Sequence, residues 1–213
     1  MNDRSRSWLK RNGPLIVIAS FAVLALLYLG DSIVNQRAER ISLEPIAPTV
    51  SSKDPYQGNK DGSATIIEFG EFSCTACAAE VSVLKNIIND YGEQVALVWK
   101  DTPFDSLSPE SRLASIAAQC AGLQGKFWDM EEALFAHQDE LGRDLYISTA
   151  TDLHLNVNDF TSCFDNRETN DIVDKNIQEA KDAQVTATPT FFINGIRYEG
   201  YMDYTDFIAA FTR

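Results

Sequence analysis

Two cysteines between a buried strand and an amphipathic helix place the tightest limit on how this chain can fold. Residues 64–69 (ATIIEF) form a short apolar run with β-branched side chains, which is typical of a buried strand. Residues 77–91 carry apolar side chains at helical spacing and end before Gly92, and residues 94–99 (QVALVW) predict a second strand. Strand, helix and strand in this order predict a parallel pair joined by a right-handed crossover.

The rest of the chain body adds helices and a hairpin to this unit. Residues 109–167 predict helices only. Asn194–Gly195 is a strong tight-turn dipeptide and predicts a hairpin at that point. The other elements predicted here are a helix over 170–184, strands over 189–194 and 196–201, and a helix over 204–211. This order favours an α/β layer fold with an inserted all-helical subdomain at about residues 108–168.

The first thirty residues predict where the chain is placed in the cell. Residues 14–29 carry no charge and directly follow a basic segment, a pattern shared by signal anchors and cleaved signal peptides. We favour an uncleaved transmembrane anchor over residues 13–30, because Tyr28 does not suit the −3 position of a peptidase site. The basic tail, residues 1–12, is then cytoplasmic and the rest of the chain is exported. The alternative is a cleaved and secreted protein.

The segment after the anchor is predicted to be a tether. Residues 31–56 contain three prolines that stop regular structure, and the second half of this segment has little apolar surface to bury. The globular domain is therefore assigned to residues 57–213. An exported domain lies in a compartment that permits disulfides, so its cysteines are free to pair.

The charge balance excludes nucleic acid as the default partner. The chain has 18 basic and 31 acidic residues, for a net charge of −13. Beyond residue 12 there are 14 basic and 30 acidic residues, so that part alone has a net charge of −16. Nucleic-acid binding depends on Lys and Arg that neutralise phosphates, and so acidic a domain lacks that footprint.

Cys74 and Cys77 carry the predicted chemistry. Unpaired backbone N–H groups at the start of a helix stabilise a thiolate, which is the reactive form of cysteine. Cys74 is nearer the helix start and is therefore the predicted nucleophile, whereas Cys77 lies one turn further in as the buried resolving thiol. Such a pair can exchange a disulfide with a partner through a mixed-disulfide intermediate.

Three other interpretations compete with a redox-active dithiol. A structural zinc site requires four ligands at short spacings. The remaining Cys and His residues do not show such spacing with the pair: Cys120, Cys163, His137 and His154. A permanent structural disulfide is disfavoured because a CxxC loop at a helix start is a poor cross-link for stabilising a fold. Chance placement does not account for the strand-to-helix context of the motif.

Two segments of the chain resemble the DsbA-like branch of the thioredoxin superfamily, namely EFGEFSCTACAAE at 68–80 and VTATPTFFING at 185–195. The resemblance covers about residues 55–213 and extends to the order of the segments. GNKDGSATIIEF is similar to the family's entry strand, LVWKDTPF to its second central strand, and AAQCAGLQGKFWDMEEALF to its helical insertion. The resemblance implies a thioredoxin-like fold, βαβ followed by ββα, and a thiol–disulfide oxidoreductase activity.

The resemblance also implies roles for residues outside the dithiol. Thr188–Pro189 matches the cis-proline loop, whose backbone pairs with an extended substrate. The alternative is that Pro189 only starts an edge strand. Glu68 matches the buried acidic residue beneath the disulfide, where it would carry the proton of Cys77, and Lys100 is the residue expected to pair with it. The alternative for Glu68 is a strand residue that faces outward.

The dipeptide between the cysteines departs from the family's strongly oxidising members. Those members carry Pro–His, whereas this chain has Thr75–Ala76 and so offers no His charge to stabilise the thiolate. Three nearby carboxylates would oppose the thiolate: Glu68, Glu71 and Glu80. We therefore expect a less lowered pKa for Cys74 and a less oxidising potential than in those members.

Cys120 and Cys163 both fall in the predicted helical insertion. Two cysteines in one subdomain of an exported protein favour a structural disulfide, an arrangement that some DsbA-like proteins resemble. The alternative is that both are free and act as small buried apolar residues.

These observations predict a membrane-tethered thiol–disulfide oxidoreductase whose domain lies in the periplasm, on the outer side of a bacterial inner membrane. Disulfide donation is favoured, with a reductase or isomerase of the same fold as the alternative. A non-catalytic holdase or metallochaperone is the alternative from another class. The predicted partners are exported proteins with free thiols and a membrane redox partner that recycles the dithiol. No cofactor or metal is expected, and the predicted oligomeric state is a monomer.

Overall fold

A computed structural model of the protein describes residues 24–29, 47–104 and 108–212. The chain divides into two units, Met1–Pro45 and Ile46–Arg213. In the first unit, residues 24–29 are helical. The predicted tail, the rest of the predicted anchor and the first part of the predicted tether lie outside the described residues. No helix among the described residues is long and apolar enough to cross a membrane.

One five-stranded sheet organises the second unit, in the order β1-β3-β2-β4-β5. The central pair β2 and β3 is parallel, and every other neighbouring pair is antiparallel. The strands are β1 (Tyr56–Gly58), β2 (Ala64–Gly70), β3 (Val95–Asp101), β4 (Thr190–Ile193) and β5 (Ile196–Glu199). The predicted order of βαβ, helical block and ββα is therefore confirmed.

Seven α-helices accompany the sheet among the described residues of this unit. They are α1 (Thr75–Tyr91), α2 (Pro109–Gly122), α3 (Phe127–Ala136), α4 (Arg143–Asp152), α5 (Val157–Asp165), α6 (Asn170–Asp182) and α7 (Tyr204–Phe211). A short 3₁₀ turn follows α3 at Gln138–Glu140. Helices α2 to α5 form the insertion, inside the limits predicted for it.

Each face of the sheet has its own core because successive strand residues point to opposite sides. Helices α1 and α7 cover the face that carries Ile66, Leu97 and Phe191. Helix α6 covers the other face through Ala180, which packs with Val98 and its neighbours. The insertion joins the first face through Trp99, which packs in one cluster with Phe72, Phe127 and Phe135. The junction of β2 and α1 therefore packs against the insertion, through Phe72 and Cys77.

The structure corrects the predicted end of the tether. Residues 54–56 were assigned to the tether, yet Asp54 is buried and the Pro55 carbonyl accepts a hydrogen bond from the Trp99 backbone N–H at 3.0 Å. Tyr56 begins the edge strand β1, opposite Val98. An edge strand needs only backbone pairing on one side, so it leaves no apolar run in the sequence.

Candidate active site

Helix α1 starts directly after strand β2, and this junction places both cysteines of the pair. Cys74 is the N-cap residue of α1, with extended backbone angles (φ −83°, ψ 115°). Its sulfur accepts a hydrogen bond from the backbone N–H of Cys77 at 3.1 Å. That donor is one of those a helix leaves unpaired in its first turn. The sequence therefore presents the Cys74 sulfur to the positive end of the helix.

The loop before β4 faces Cys74 across the end of the sheet. Strand β4 runs antiparallel to β2 and pairs Thr190 with Phe69, so its start lies beside the end of β2. The Thr188–Pro189 peptide bond in this loop is cis. The Cys74 sulfur lies 3.3 Å from the backbone carbonyl oxygen of Thr188. The structure thus brings together Cys74, Cys77, Thr188 and Pro189, which lie far apart in the sequence.

The surroundings of the two cysteines give them different acidities. Hydrogen bonds from the Cys77 thiol, the Thr188 side chain and the backbone N–H groups of Cys77 and Ala76 lower the pKa of Cys74 to about 6, against the opposing effect of partial burial. Cys77 is only 1% exposed, and burial raises its pKa above the ordinary thiol value. Cys74 is therefore the accessible thiolate at neutral pH, and Cys77 keeps its proton.

Glu68 lies on the sheet face that α1 covers, next to Phe191 of β4. It is 1% exposed, and one of its carboxyl oxygens has no hydrogen-bond partner among the described residues. Burial raises the pKa of Glu68 well above the usual value, and the charges of Glu131, Glu80 and Cys74 raise it further. Glu68 in turn raises the pKa of Cys77. Glu68 therefore faces inward and interacts electrostatically with the dithiol.

Lys100 does not pair with Glu68, and this prediction is wrong. Lys100 lies on the opposite face of the sheet, because strand residues alternate and Trp99 is the one beside Glu68. Its ammonium group is fully buried between Asp54, at 2.7 Å, and Glu179. Lys100 therefore joins Asp54, in the segment before β1, to α6, and Glu68 has no cation beside it among these contacts.

Two further acidic residues near the thiolate have separate partners. Glu71 accepts hydrogen bonds from the Ser111 hydroxyl at 2.6 Å and the Phe104 backbone N–H at 3.1 Å, so it joins the end of β2 to the start of the insertion. Glu80, on α1, accepts a hydrogen bond from the Met202 backbone N–H, and its second oxygen has no partner among the described residues. Burial raises the pKa of Glu80 to about 7.

Glu131 was not singled out by sequence, although a signal was present. It lies on α3, four residues after Phe127 and one after Met130, on the apolar stripe of that helix. It is 6% exposed, and burial raises its pKa to about 8. A carboxyl at an apolar helical position is the pattern that could have identified it.

The second cysteine pair lies in the insertion. Cys120 on α2 and Cys163 on α5 form a disulfide, with their Cα atoms 5.9 Å apart and a sequence separation of 43. Both are buried in the cluster that includes Trp99. Cys74 and Cys77 are the free cysteines. Among the described residues, no three or more His, Cys, Asp or Glu side chains come together as a candidate metal site.

Comparison with protein families gives a match over most of the chain. The family described as Thioredoxin matches residues 50–211.

Solved structures are similar in fold. The thiol-disulfide exchange protein alpha-DsbA2 from Wolbachia pipientis is 22% identical, with a TM-score of 0.69, over 76% of this chain and 87% of that one. BdbD from Bacillus subtilis, in its oxidised form, is 22% identical, with a TM-score of 0.70, over 79% of this chain and 97% of that one. At this identity the likeness concerns the fold alone.

Curated relatives are much longer than this chain. The Na(+)/H(+) antiporter NhaA 1 of Mycolicibacterium vanbaalenii is 32% identical over 179 residues, which are 81% of this chain and 28% of the antiporter. The Na(+)/H(+) antiporter NhaA 3 of Salinispora tropica is 30% identical over 74% of this chain and 24% of its own length. The chain therefore spans about a quarter of the length of these relatives.

Proposed function

Since this chain belongs to the thioredoxin family, we propose that it is a thiol–disulfide oxidoreductase that passes the Cys74–Cys77 disulfide to exported proteins. The observation that carries the proposal is the Cys74 sulfur at the N-cap of α1, 3.3 Å from the carbonyl of the cis-proline loop. An exposed nucleophile, a buried second thiol and a backbone edge for an extended chain are what disulfide exchange requires.

Donation proceeds in two exchanges. A substrate thiolate attacks Cys74 in the Cys74–Cys77 disulfide, which forms a mixed disulfide and releases Cys77 as a thiolate that takes up a proton. A second substrate thiolate attacks the substrate sulfur of the mixed disulfide and releases Cys74 as a thiolate. The substrate is oxidised to a disulfide and the enzyme is reduced to a dithiol. Glu68 supplies the proton that Cys77 takes up.

The acidity of Cys74 favours this direction. A dithiol whose thiolate is stabilised is a poor reductant, because its reduced form is the more stable one. The pKa of Cys74, about 6, lies between the value of about 7 in thioredoxin and about 3.5 in the strong oxidant DsbA. The lowered pKa of Cys74 therefore supports donation, and without a His between the cysteines we expect a potential less oxidising than that of DsbA.

The place and partners of the protein follow from its N-terminal sequence and its chemistry. Residues 13–30 anchor the chain in a bacterial inner membrane, and the domain faces the periplasm. Exported proteins with free thiols are its substrates in that compartment. A membrane redox partner must reoxidise the dithiol, because each donated disulfide leaves Cys74 and Cys77 reduced. The reaction needs no cofactor, and the protein acts as a monomer. Thr188 and Pro189 hold the substrate chain, and the Cys120–Cys163 disulfide is structural.

The test is the reduction potential of the Cys74–Cys77 pair in the full chain, equilibrated in graded glutathione buffers at pH 7. Cys77→Ser is the matched control, because it keeps Cys74 but cannot close the intramolecular disulfide. A potential above about −150 mV supports disulfide donation. A potential below about −220 mV contradicts donation and indicates a reductase. Accessible thiols without any redox response contradict the enzymatic function and favour a binding module.

A further inference from the structure

A cavity of about 350 Å³ opens between α1, α3 and β3. Its walls combine polar and charged side chains with the apolar side chains of Val81, Leu84, Ile88, Leu97 and Trp128. Glu131 also lines this cavity, although it is only 6% exposed. The cavity has room for several water molecules, each of which occupies about 30 Å³ in the liquid. Glu131 is therefore a nearly buried carboxyl with access to a space that water can fill.

The cavity wall includes residues that neighbour the dithiol and Glu68 in the fold. Val81 lies one helical turn after Cys77 on α1 and packs in the same cluster. Leu97 pairs with Ile66 and Trp99 pairs with Glu68, so Leu97 is the next residue on the same face of β3 from the one opposite Glu68.

Packing places the two carboxyls in one region of the interior. Trp99 lies opposite Glu68 on β3 and packs against Phe127 and Phe135, which lie one turn before and one turn after Glu131 on α3. The charge of Glu131 also raises the pKa of Glu68.

The other charged groups that border the cavity are Lys85, Asp129 and Glu132. Lys85 pairs with Glu132 at 2.7 Å, and its charge also lowers the pKa of Glu131, whereas Asp129 pairs with Lys126 at 3.3 Å.

Glu68 alone lacks a route for its proton. It is as buried as Cys77, and each catalytic cycle must move one proton to the resolving thiol and later remove it. Building on the proposed function, we propose that Glu131 is a positioning residue that acts through Glu68, carrying its proton to and from the water-filled cavity.

The proton balance is complete without any redox partner for the carboxyls. When Cys77 leaves as a thiolate, Glu68 gives it a proton and becomes a carboxylate. Glu131 returns a proton to Glu68 and is itself reprotonated by water or buffer in the cavity. When the dithiol is reoxidised, Cys77 loses its proton along the same route in reverse. Electrons move only between sulfur atoms.

The test compares single-turnover reduction of the oxidised full chain by a dithiol peptide between pH 5 and 9. Glu131→Gln keeps the size of the side chain and removes the transferable proton. Its rate should fall by about tenfold or more, whereas a group that transfers the proton directly contributes about 100-fold to 10,000-fold, because Glu131 acts through Glu68. Added formate, a small acid that fits the cavity, should restore the rate in proportion to its concentration. Glu140→Gln, which makes the same charge change on an exposed side chain of the insertion, should leave the rate unchanged.

Two further variants separate a proton route from a packing effect. Glu131→Met also lacks the proton and should respond to formate in the same way, and Glu131→Asp should keep most of the rate. Because Glu68 and Glu131 act in series, adding Glu131→Gln to Glu68→Gln should slow the reaction no further.

Specific results would overturn the proposal. An unchanged rate and pH profile in Glu131→Gln would do so, and so would a slower rate that formate does not restore. If the unsubstituted chain itself exchanges no disulfide, the proposed function fails and the role of Glu131 fails with it. If the unsubstituted chain exchanges disulfides and Glu131→Gln does so at the same rate, this inference alone is overturned.

Discussion

The two cysteine pairs of this domain differ in their exposure and in their surroundings. Cys74 and Cys77 are separated by two residues at the start of a helix, and Cys74 is half-buried beside an open loop. Cys120 and Cys163 have a sequence separation of 43, lie on two different helices and are both buried. The first pair has hydrogen bonds that stabilise a thiolate, whereas the second lies within an apolar cluster.

The difference shows that position in the fold, and not the cysteine itself, decides what a pair can do. A sulfur at a helix N-terminus gains backbone donors when its disulfide opens, so opening is easy and reversible. A sulfur pair between packed helices gains nothing on opening and loses a cross-link across 43 residues. The first pair is suited to exchange and the second to holding the insertion together.

The clearest test of the difference between the two pairs is mild reduction of the oxidised protein under native conditions. Dithiothreitol at low concentration should open Cys74–Cys77 completely and leave Cys120–Cys163 closed, because only the first pair has an accessible sulfur. Alkylation followed by mass spectrometry should find two labels, on Cys74 and Cys77. The unfolded, fully reduced chain should take four. Four labels on the native protein would mean that the two pairs are equally labile.

Removing the second pair should cost stability and not activity. The double substitution Cys120→Ala and Cys163→Ala should lower the free energy of unfolding by about 3–4 kcal/mol, the entropy estimate for a loop of this length. Denaturant unfolding measures the loss, and disulfide exchange below the unfolding transition should stay near that of the parent. A loss of exchange in a variant that remains folded would show that the insertion disulfide belongs to the active site.

The smallest effect concerns how the potential of the first pair changes with pH. Below pH 6 both thiols take up a proton on reduction, so the reduction potential of the Cys74–Cys77 pair should fall by about 60 mV for each unit by which the pH rises. The lowered pKa of Cys74, about 6, leaves one proton taken up at higher pH, so the slope should decrease to about 30 mV per unit. This stabilisation of the reduced form is therefore present above pH 6 and is lost as the pH falls through that value.

The same titration on the Thr188→Val variant tests one cause of the lowered pKa of Cys74. This variant removes the side-chain hydrogen bond that helps to lower the pKa of Cys74, so the change of slope should move to a higher pH. A single slope of about 60 mV per unit up to pH 8 in the parent would contradict the stabilised thiolate.

The sequence was most informative where periodicity and local chemistry agreed. The helix predicted over 204–211 is α7 with the same limits, and the turn dipeptide Asn194–Gly195 separates β4 from β5 with positive φ at both residues. Helix α4 was not resolved as an element of its own within the predicted helical block. Its residues mix polar and apolar side chains without a clear apolar stripe, so tertiary packing determines its limits.

The error at Lys100 has a different cause. Every residue of β3 is buried, so the strand lacks the alternation of apolar and polar residues that would assign each side chain to a face. A buried lysine on such a strand is compatible with either face. Only its partners, Asp54 before β1 and Glu179 on α6, determine which face it occupies. The apolar helical position of Glu131 can be read from the sequence, but its place beside the Glu68 region depends on how α3 packs against β3.

The most direct measurement is capture of the mixed disulfide by the Cys77→Ser variant. This variant, incubated with a protein that carries an accessible disulfide, should attack through the Cys74 thiolate and release one partner sulfur. Without Cys77 the adduct cannot resolve, so a covalent complex sensitive to reductant should accumulate, and mass spectrometry should locate its link at Cys74. The absence of a complex, or one linked through another cysteine, would contradict the account of Cys74 as the exchanging thiol.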